Sequence, residues 1–359
     1  MPRITAAMVL LGATACTPDK GSGASTSSTV TSDGTVSVKV EVNDQQSAFM
    51  VTSQADKRLA LDSIVNPDGE MVFNWQDWYS APTYLTAAVW PLATDMVLNW
   101  PVRAQDGQLS EGDWEIIIAA VSEEGVYLDG VDVESTVLLK TDARLSSGEV
   151  KVVIAYAEGV EEDAEVVGAV EASVERWQSV WAPFGLTVRV RYAIADIDKN
   201  LPYVGDGSSE VAELSDQIDW DEILMIVGET IRSEELYYGV SGNIPGSLIS
   251  TPRSAVTIGW LANTGLDGSF SASDIRLMGE TMAHETSHYM GLFHPVETTF
   301  EVWDAASDTP NCITQASCEQ DLGTNLMFPY PVCGAISCTP QDELSDIQVG
   351  IAHRYTGTQ

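Results

Sequence analysis

Basic residues are scarce in this chain. Its 359 residues include 17 Lys and Arg against 53 Asp and Glu, which gives a formal net charge of −36 at neutral pH. Proteins that bind nucleic acids need clustered Lys and Arg to neutralise phosphates, so this composition excludes a nucleic-acid partner. The acidic segments 158–165 and 206–222 lack the alternating Asp/Asn loop of an EF-hand. They are interpreted as solvated faces, with a Ca²⁺ site as the alternative.

Cysteine is also rare, with five residues and none between Cys16 and Cys312. With only Cys16 before residue 312, the chain has no obvious cysteine switch, in which a cysteine of an N-terminal segment binds and blocks a metal site. Cys312, Cys318, Cys333 and Cys338 lie within 27 residues and lack the Cys-x-x-Cys pairs of structural zinc sites. Their even number favours two disulfides formed in an oxidising compartment. Their spacing does not define the pairing.

The N terminus lacks an apolar run long enough to cross a bilayer, which requires about 20 residues. Arg3 precedes a short apolar run, Ala6–Leu11, and four small residues then lead to Cys16. This layout is typical of a secretory signal, and the cysteine after small residues resembles a bacterial lipobox. The pattern predicts export, with Cys16 lipid-anchored to the bacterial envelope, at the outer membrane or the cell surface. The alternative is an ordinary signal peptide with an incidental cysteine and a secreted product.

Composition and periodicity divide the chain into segments. Residues 1–16 form the predicted signal peptide, and residues 17–35, rich in Ser, Thr and Gly, are predicted to be a flexible linker. Residues 36–145 show short strand patterns separated by turn signals, which predicts an all-β sandwich of seven or eight strands. Residues 148–359 mix strand and helix patterns, as expected of an α+β domain.

Histidine is scarce as well, and three of the four residues lie in one stretch, 284–294, that reads HExxHxxGxxH. On a helix, His284 and His288 share a face and can bind one metal ion. Gly291 can adopt the left-handed conformation that ends a helix, so the chain can turn back and add His294. Three neutral imidazoles leave a coordination position open, as in catalytic zinc sites. Glu285 follows the first ligand, in the place of a general base.

This stretch resembles the zinc signature of the metzincin metallopeptidases, and the resemblance covers roughly residues 148–359. Those enzymes carry a methionine in a tight turn beneath the metal, and Asn325–Tyr330 resembles this Met-turn, with Met327 as the methionine. The clan often has a tyrosine two residues after the methionine, whereas Tyr330 comes three after it. Asp308–Pro310 and the cysteines around the turn are most similar to the pappalysin-type branch.

The resemblance implies an α+β catalytic domain with a mixed twisted sheet, a zinc helix and a Met-turn. It implies a zinc-dependent endopeptidase that hydrolyses peptide bonds of protein or peptide substrates by a zinc-activated water, with Glu285 as general base and Tyr330 as a second catalytic residue. The alternatives are an inactive metzincin-scaffold adhesion or binding lipoprotein and a peptidoglycan-directed metal amidase. The fourth histidine, His353, is expected on a helix surface rather than at the metal.

The family also implies where substrate lies, because its members bind peptides in extended form beside an edge strand above the zinc helix. An edge strand presents unpaired N–H and C=O groups that can pair with an added strand. Chain order favours Leu236–Gly242 for this strand, since two glycines would let a peptide backbone approach closely. The alternative is that this segment is a surface loop. Val240 is the residue predicted to donate to the substrate backbone.

Overall fold

The computed structural model describes residues 9–11 and 23–358, with gaps at 104–105, 107, 142–144 and 335–337. The predicted lipid site, Cys16, and most of the predicted signal peptide lie outside the described residues. In chain order, the strands up to residue 140 are β1 (Val9–Leu11), β2 (Ala24–Thr29), β3 (Thr35–Val42), β4 (Ala48–Gln54), β5 (Arg58–Val65), β6 (Met71–Asn74), β7 (Thr83–Tyr84), β8 (Asp95–Trp100), β9 (Gly112–Val121) and β10 (Asp132–Lys140).

Eight of these strands form two four-stranded antiparallel sheets. One has the order β2-β10-β4-β8 and the other β3-β9-β5-β6. Strand β3 shows why they pack face to face: its four valines are buried, while Ser37, Lys39 and Glu41 point to solvent. The sheets enclose a core that includes Phe49 and Trp114, whose ring centroids are 6.0 Å apart. We call this eight-stranded unit the front part.

Two segments of the front part differ from the sequence predictions. Residues 24–29, predicted to be flexible linker, pair with β10 as strand β2, although their side chains are mostly exposed. The apolar alternation over residues 84–90 predicts a strand, and this prediction is wrong: only Thr83–Tyr84 is a strand, and Ala87–Val89 forms a 3₁₀ turn. The Thr86 hydroxyl accepts from Ala88 N–H and caps that turn, so a local side-chain hydrogen bond overrides the apolar alternation.

The second part, from residue 148 on, is built on a six-stranded sheet. Its remaining strands are β11 (Gly148–Tyr156), β12 (Leu186–Ala195), β13 (Asn200–Leu201), β14 (Glu222–Gly228), β15 (Thr230–Ile231), β16 (Gly239–Ser241), β17 (Val256–Gly259) and β18 (Trp303–Asp304). The sheet order is β1-β12-β11-β14-β17-β16, and every pair is parallel except β16 with β17. In the described part of the chain, β16 is therefore an antiparallel edge strand.

Seven helices complete the described fold: α1 (Trp75–Trp78) in the front part, then α2 (Ala164–Trp181), α3 (Ser209–Ser215), α4 (Trp260–Asn263), α5 (Ala272–Tyr289), α6 (Gln315–Leu322) and α7 (Asp346–Tyr355). The sequence pattern predicts a helix over Asp163–Trp181, and helix α2 begins directly after Asp163, whose carboxylate caps it. The sequence Thr339-Pro340-Gln341 predicts a closing helix that starts near residue 339, and this prediction is wrong, because Ser345 and Gln348 form a capping box that starts helix α7 at Asp346.

Helices α2 and α5 pack closely against each other. A Cβ at Gly279 of α5 would lie 2.5 Å from the Ser173 carbonyl of α2, so only glycine permits this approach. Beside this contact, the buried Glu280 carboxylate pairs with Arg176 of α2 at 2.5 Å and with Arg276 at 2.9 Å. A buried carboxylate needs such compensation, and here the compensation fixes α5 relative to the sheet.

The front part is joined to the second part by buried polar contacts. Arg253 Nε lies 3.0 Å from Asp95 Oδ1 and Arg253 Nη2 donates to the Asp95 carbonyl at 2.7 Å, with both residues less than one-tenth exposed. Lys140 Nζ donates to the Thr356 carbonyl, and β7 pairs in parallel with β18. Together with a continuous apolar core, these contacts make the two parts one packed unit. None of the described helices is long and apolar enough to cross a membrane.

Candidate metal centre

Helix α5 carries three of the five predicted catalytic and metal-binding residues, His284, Glu285 and His288, in its last two turns. Its start is set by a capping box, in which Ser271 accepts from Asp274 N–H and the Asp274 side chain accepts from Ser271 N–H. Its end is set at Gly291, which has φ of 104°, and the Gly291 N–H donates to the His288 carbonyl at 2.8 Å. A side chain is strained at this φ, so glycine lets the chain reverse and bring His294 back beside the helix.

The structure brings His284, His288 and His294 together. One ring nitrogen of each lies within 4.8 Å of the other two, and the Nε2 atoms of His288 and His294 are 3.0 Å apart. Across the described ranges, no other group of three or more His, Cys, Asp or Glu is arranged to hold a metal ion. Neither the solvated-face interpretation of the acidic segments nor its alternative, a Ca²⁺ site, is tested by this arrangement.

The opposite nitrogen of each ring faces an acceptor. His284 Nδ1 lies 2.6 Å from the Leu326 carbonyl, His288 Nδ1 lies 2.6 Å from the Leu292 carbonyl, and His294 Nδ1 lies 3.0 Å from Glu297 Oε2. Because carbonyl and carboxylate oxygens only accept, each Nδ1 carries a proton, and the neutral form of each ring then presents a lone pair at Nε2. This is the arrangement in which imidazoles bind metal ions.

Electrostatics at the centre favours neutral rings. Burial lowers the pKa of His284 to about 3 and the pKa of His288 well below its usual range, and the neighbouring rings reinforce both shifts. With all three rings neutral and protonated at Nδ1, the converging Nε2 lone pairs would repel one another unless a cation compensated them. Neutral imidazole is also the form that binds zinc, so the residues present fit a Zn²⁺ ion held by His284, His288 and His294.

Glu285 lies between the histidines and the edge of the sheet. The Ser241 N–H of β16 donates to its carboxylate, and burial raises the pKa of Glu285 to about 8. The backbone of β16 comes very close: a Cβ at Gly239 would lie 2.6 Å from Glu285 Cγ and 3.0 Å from Thr281 Cγ2. Glycine at this position therefore leaves the space that the Glu285 side chain fills.

The segment predicted to form the Met-turn lies directly beside the histidines. Met327 is fully buried, its N–H donates to Asn325 Oδ1 at 2.9 Å, and the Phe328 N–H closes the turn onto the Asn325 carbonyl at 3.0 Å. The Leu326 carbonyl in this turn is the acceptor for His284. The turn thus orients one histidine directly.

Several residues around this turn were not identified from the sequence. Asn325 Nδ2 donates to Gln348 Oε1 at 2.9 Å, and Gln348 Nε2 donates to Asp304 Oδ2 at 3.3 Å. Burial raises the pKa of Asp304 to about 7. Glu297, the acceptor for His294, had a sequence signal, since it is an acid three residues after the third histidine. The hydrogen bonds of Gln348 to Asn325 and Asp304 had no sequence signal, because they join residues separated by more than 20 positions.

Tyr330 does not place its hydroxyl at the histidines. It lines the same 70 Å³ cavity as His284 and Glu285, but its hydroxyl lies 3.3 Å from Glu319 Oε1 and its ring packs against Phe328. A catalytic role for Tyr330 stays a prediction. His353 is not at the centre either, and the prediction of a surface position is wrong: it is fully buried and its Nε2 lies 2.8 Å from the Phe184 carbonyl.

The four C-terminal cysteines form two disulfides, Cys312–Cys318 and Cys333–Cys338. The first lies in a small core with Phe328, one residue beyond Met327. Crosslinks brace a segment that has little regular structure of its own, and here they brace the segment that holds the turn beside His284.

Strand β16 occupies the middle of the segment predicted to bind substrate. Gly242 N–H donates to the Ala255 carbonyl and Gly259 N–H to the Tyr238 carbonyl, so Tyr238 and Gly242 face β17. Because hydrogen-bonding direction alternates along an antiparallel strand, Val240 also faces β17, while the backbone groups of Gly239 and Ser241 face the open edge. The prediction that Val240 donates to a bound peptide is therefore wrong by one residue.

No family model matches the chain, and no curated protein matches it. The chain is similar to the solved structure of a family two carbohydrate esterase from Clostridium thermocellum in complex with cellohexaose, with 10% identity, a TM-score of 0.16 and coverage of 56% of this chain. It spans 60% of the length of that structure. The chain is also similar to the solved structure of a family two carbohydrate esterase from Cellvibrio japonicus, with 9% identity and a TM-score of 0.14. The match covers 58% of this chain and 68% of the esterase. Likeness at these scores carries no argument about fold or activity, so the metzincin fold stays a prediction.

Proposed function

We propose that this protein is a zinc-dependent endopeptidase of the metzincin type. The observation that supports the proposal most strongly is the set of three histidines whose Nδ1 atoms all face an acceptor and whose remaining ring nitrogens converge. A structural zinc site would use a fourth protein ligand. In the described part of the chain the three histidines form a group of their own, and the next residue on the helix is an acid held by a backbone N–H.

The proposed mechanism assigns one role to each group. When bound to the three histidines, zinc would supply Lewis acidity at neutral pH. Glu285, positioned by the Ser241 N–H, would accept a proton from the attacking water in its ionised form, which the charge of a bound Zn²⁺ would favour against the effect of burial, and would return that proton to the leaving amine. Leu326, Leu292 and Glu297 keep the imidazole rings in the tautomer that binds metal.

The open edge of β16 supports a peptide as the substrate. The backbone groups of Gly239 and Ser241 that face this edge lie next to Glu285. An extended chain paired with this edge would place its peptide bonds beside the proposed base. A proline at Val240 would break the β16–β17 ladder rather than test this surface, so the informative substitution lies at Gly239.

Metal analysis and a cleavage assay test the proposal together. Purified protein is expected to hold one zinc per chain by inductively coupled plasma spectrometry and to cleave an unfolded protein such as reduced casein. His288→Ala should lower the zinc content well below one per chain, whereas His353→Ala, which removes the histidine outside the centre, should leave it unchanged. Equal zinc loss in both variants would contradict the assignment of the ligands.

Gly239→Ala tests the closeness of β16 to the proposed base. The new methyl group displaces Glu285 or the strand, and misplacing a catalytic group by about 1 Å can cost about a hundredfold in rate. We expect kcat/KM to fall at least about tenfold while zinc content is unchanged. Gly168→Ala is the matched control, because a methyl group added to this helical glycine would have no neighbour within 4 Å. A folded Gly239→Ala enzyme with normal kinetics would place Glu285 outside the reaction.

We also propose that the protein is exported and lipid-anchored through Cys16. The two disulfides support an oxidising compartment. Cys16→Ser should move the protein from the detergent phase to the aqueous phase in detergent partitioning of the expressing cells. An unchanged distribution would rule out Cys16 as the anchor.

A further inference from the structure

A cavity of 180 Å³ lies where the front part meets the edge of the six-stranded sheet. The front part contributes Trp90 and Leu92 to its wall, and the sheet contributes Ser241 and Asn243. The Ala87 N–H donates to the Ile244 carbonyl at 3.1 Å and fixes the two sides of the cavity relative to each other. The cavity is thus a product of the packing of both parts.

Two of its lining residues, Ser241 and Trp90, connect the cavity to the metal centre through their contacts. The Ser241 N–H donates to Glu285. On the opposite wall, the Trp90 ring packs edge-on against Tyr84 with centroids 5.1 Å apart, and Tyr84 lies 5.4 Å from Phe293, the residue before His294. The cavity therefore adjoins the centre on the side of β16 and His294.

A second cavity lies at the other end of the same strand. It is the 70 Å³ cavity lined by Tyr238, His284, Glu285 and Tyr330. Since Tyr238 precedes β16 and Asn243 follows it, the strand runs from the 70 Å³ cavity, which Glu285 itself lines, to the 180 Å³ cavity. A peptide extended along the unpaired edge of β16 would therefore reach the 180 Å³ cavity on the side of Glu285 away from Tyr238.

Seven of the thirteen residues that line the 180 Å³ cavity are apolar, and the lining carries no uncompensated charge. Met96 and Val97 are almost fully buried in its wall, and Leu92 is exposed by 71% at the surface. Its two charged residues, Asp95 and Arg253, neutralise each other in the ion pair that joins the two parts. Such a lining favours an apolar side chain and disfavours a charged one, which would find no partner.

We propose that this cavity is a specificity subsite that takes an apolar side chain of an extended peptide, on the side of the cleaved bond away from Tyr330. The proposal rests on the proposed peptidase function and adds a substrate class to it: polypeptides with a leucine-like or phenylalanine-like residue at that position. It makes the front part a component of the substrate cleft.

Leu92→Glu tests the subsite, because an exposed position tolerates the change and a new charge should reverse the preference. A library of peptides varied at each position around the cleaved bond is cleaved by the wild type, by Leu92→Glu and by Ile313→Glu. The control residue Ile313 is 72% exposed and lies outside the cavity. The wild type and the control should prefer Leu or Phe over Lys about tenfold or more at one position, and Leu92→Glu should shift that same position towards Lys or Arg.

A binding measurement without catalysis separates the two proposals. Fluorescence anisotropy with a labelled Leu-containing peptide and the metal-free protein should show weaker binding for Leu92→Glu than for Ile313→Glu, and a Lys-containing peptide should show the reverse. If the wild type cleaves peptides but neither cleavage preference nor affinity depends on Leu92, the subsite is wrong and the peptidase proposal stands. If no peptide is cleaved or bound, both are wrong.

Discussion

Glu285→Gln should lower kcat/KM for peptide cleavage by about 10²- to 10⁴-fold, which is the usual contribution of a positioned general acid–base. Glutamine preserves the shape of the side chain and can still accept from the Ser241 N–H, but it cannot take a proton from water at neutral pH. Zinc content should stay at one per chain, because the three histidines converge without Glu285. Steady-state kinetics and metal analysis of the same preparation check both expectations.

Glu301→Gln is the control for this experiment, since Glu301 is an exposed acid in the segment that follows the third histidine. It should retain wild-type kinetics. Near-normal turnover in Glu285→Gln would remove Glu285 from the mechanism. Loss of zinc in that variant would instead make Glu285 a ligand and the histidine group incomplete.

Asp95→Ala should destabilise the protein by about 3–5 kcal/mol, the range found when one partner of a buried ion pair is removed. The loss would leave the Arg253 guanidinium buried at the junction of the two parts without its carboxylate. Chemical denaturation followed by tryptophan fluorescence would measure the free energy of unfolding. The transition should also become broader or biphasic if the two parts then separate before they unfold.

Asp56→Ala provides the comparison, because Asp56 pairs with Lys57 at 3.5 Å while both side chains are half or more exposed. Exposed pairs contribute at most about 1 kcal/mol. The double variant Asp95→Leu with Arg253→Met should recover much of the lost stability, since an apolar pair of similar volume can replace a buried ion pair. A small effect of Asp95→Ala would mean that the junction depends on its apolar core instead.

The sequence identified the elements whose signals are local. The alternating valines of residues 36–42 predict strand β3, and the capping pattern of residues 271–274 predicts the start of helix α5. The spacing of His284, His288 and Gly291 likewise predicted a helix followed by a reversal, because glycine at 291 meets a conformational requirement set by its neighbours. Periodicity and capping are properties of a few adjacent residues, so they can be recognised before any tertiary contact is known.

Features that depend on distant segments could not be identified this way. Residues 339–345 resemble a helix start, yet the Glu343 carbonyl accepts from the Leu326 N–H of the Met-turn segment, and this tertiary pairing keeps the region extended. His353 has no nearby sequence signal for burial, because its partner, the Phe184 carbonyl, lies 169 positions away. The Asp95–Arg253 pair that joins the two parts was missed for the same reason.

The direct test of the central claim is cleavage of an unfolded protein before zinc removal, after it, and after zinc is restored. The purified wild-type protein is treated with a chelator, dialysed and assayed for fragments of reduced casein, with circular dichroism confirming that it remains folded. We expect cleavage to disappear with the metal and to return when one equivalent of Zn²⁺ is added. Cleavage that persists in the folded, metal-free protein, or that is absent from the zinc-loaded protein, would contradict the assignment.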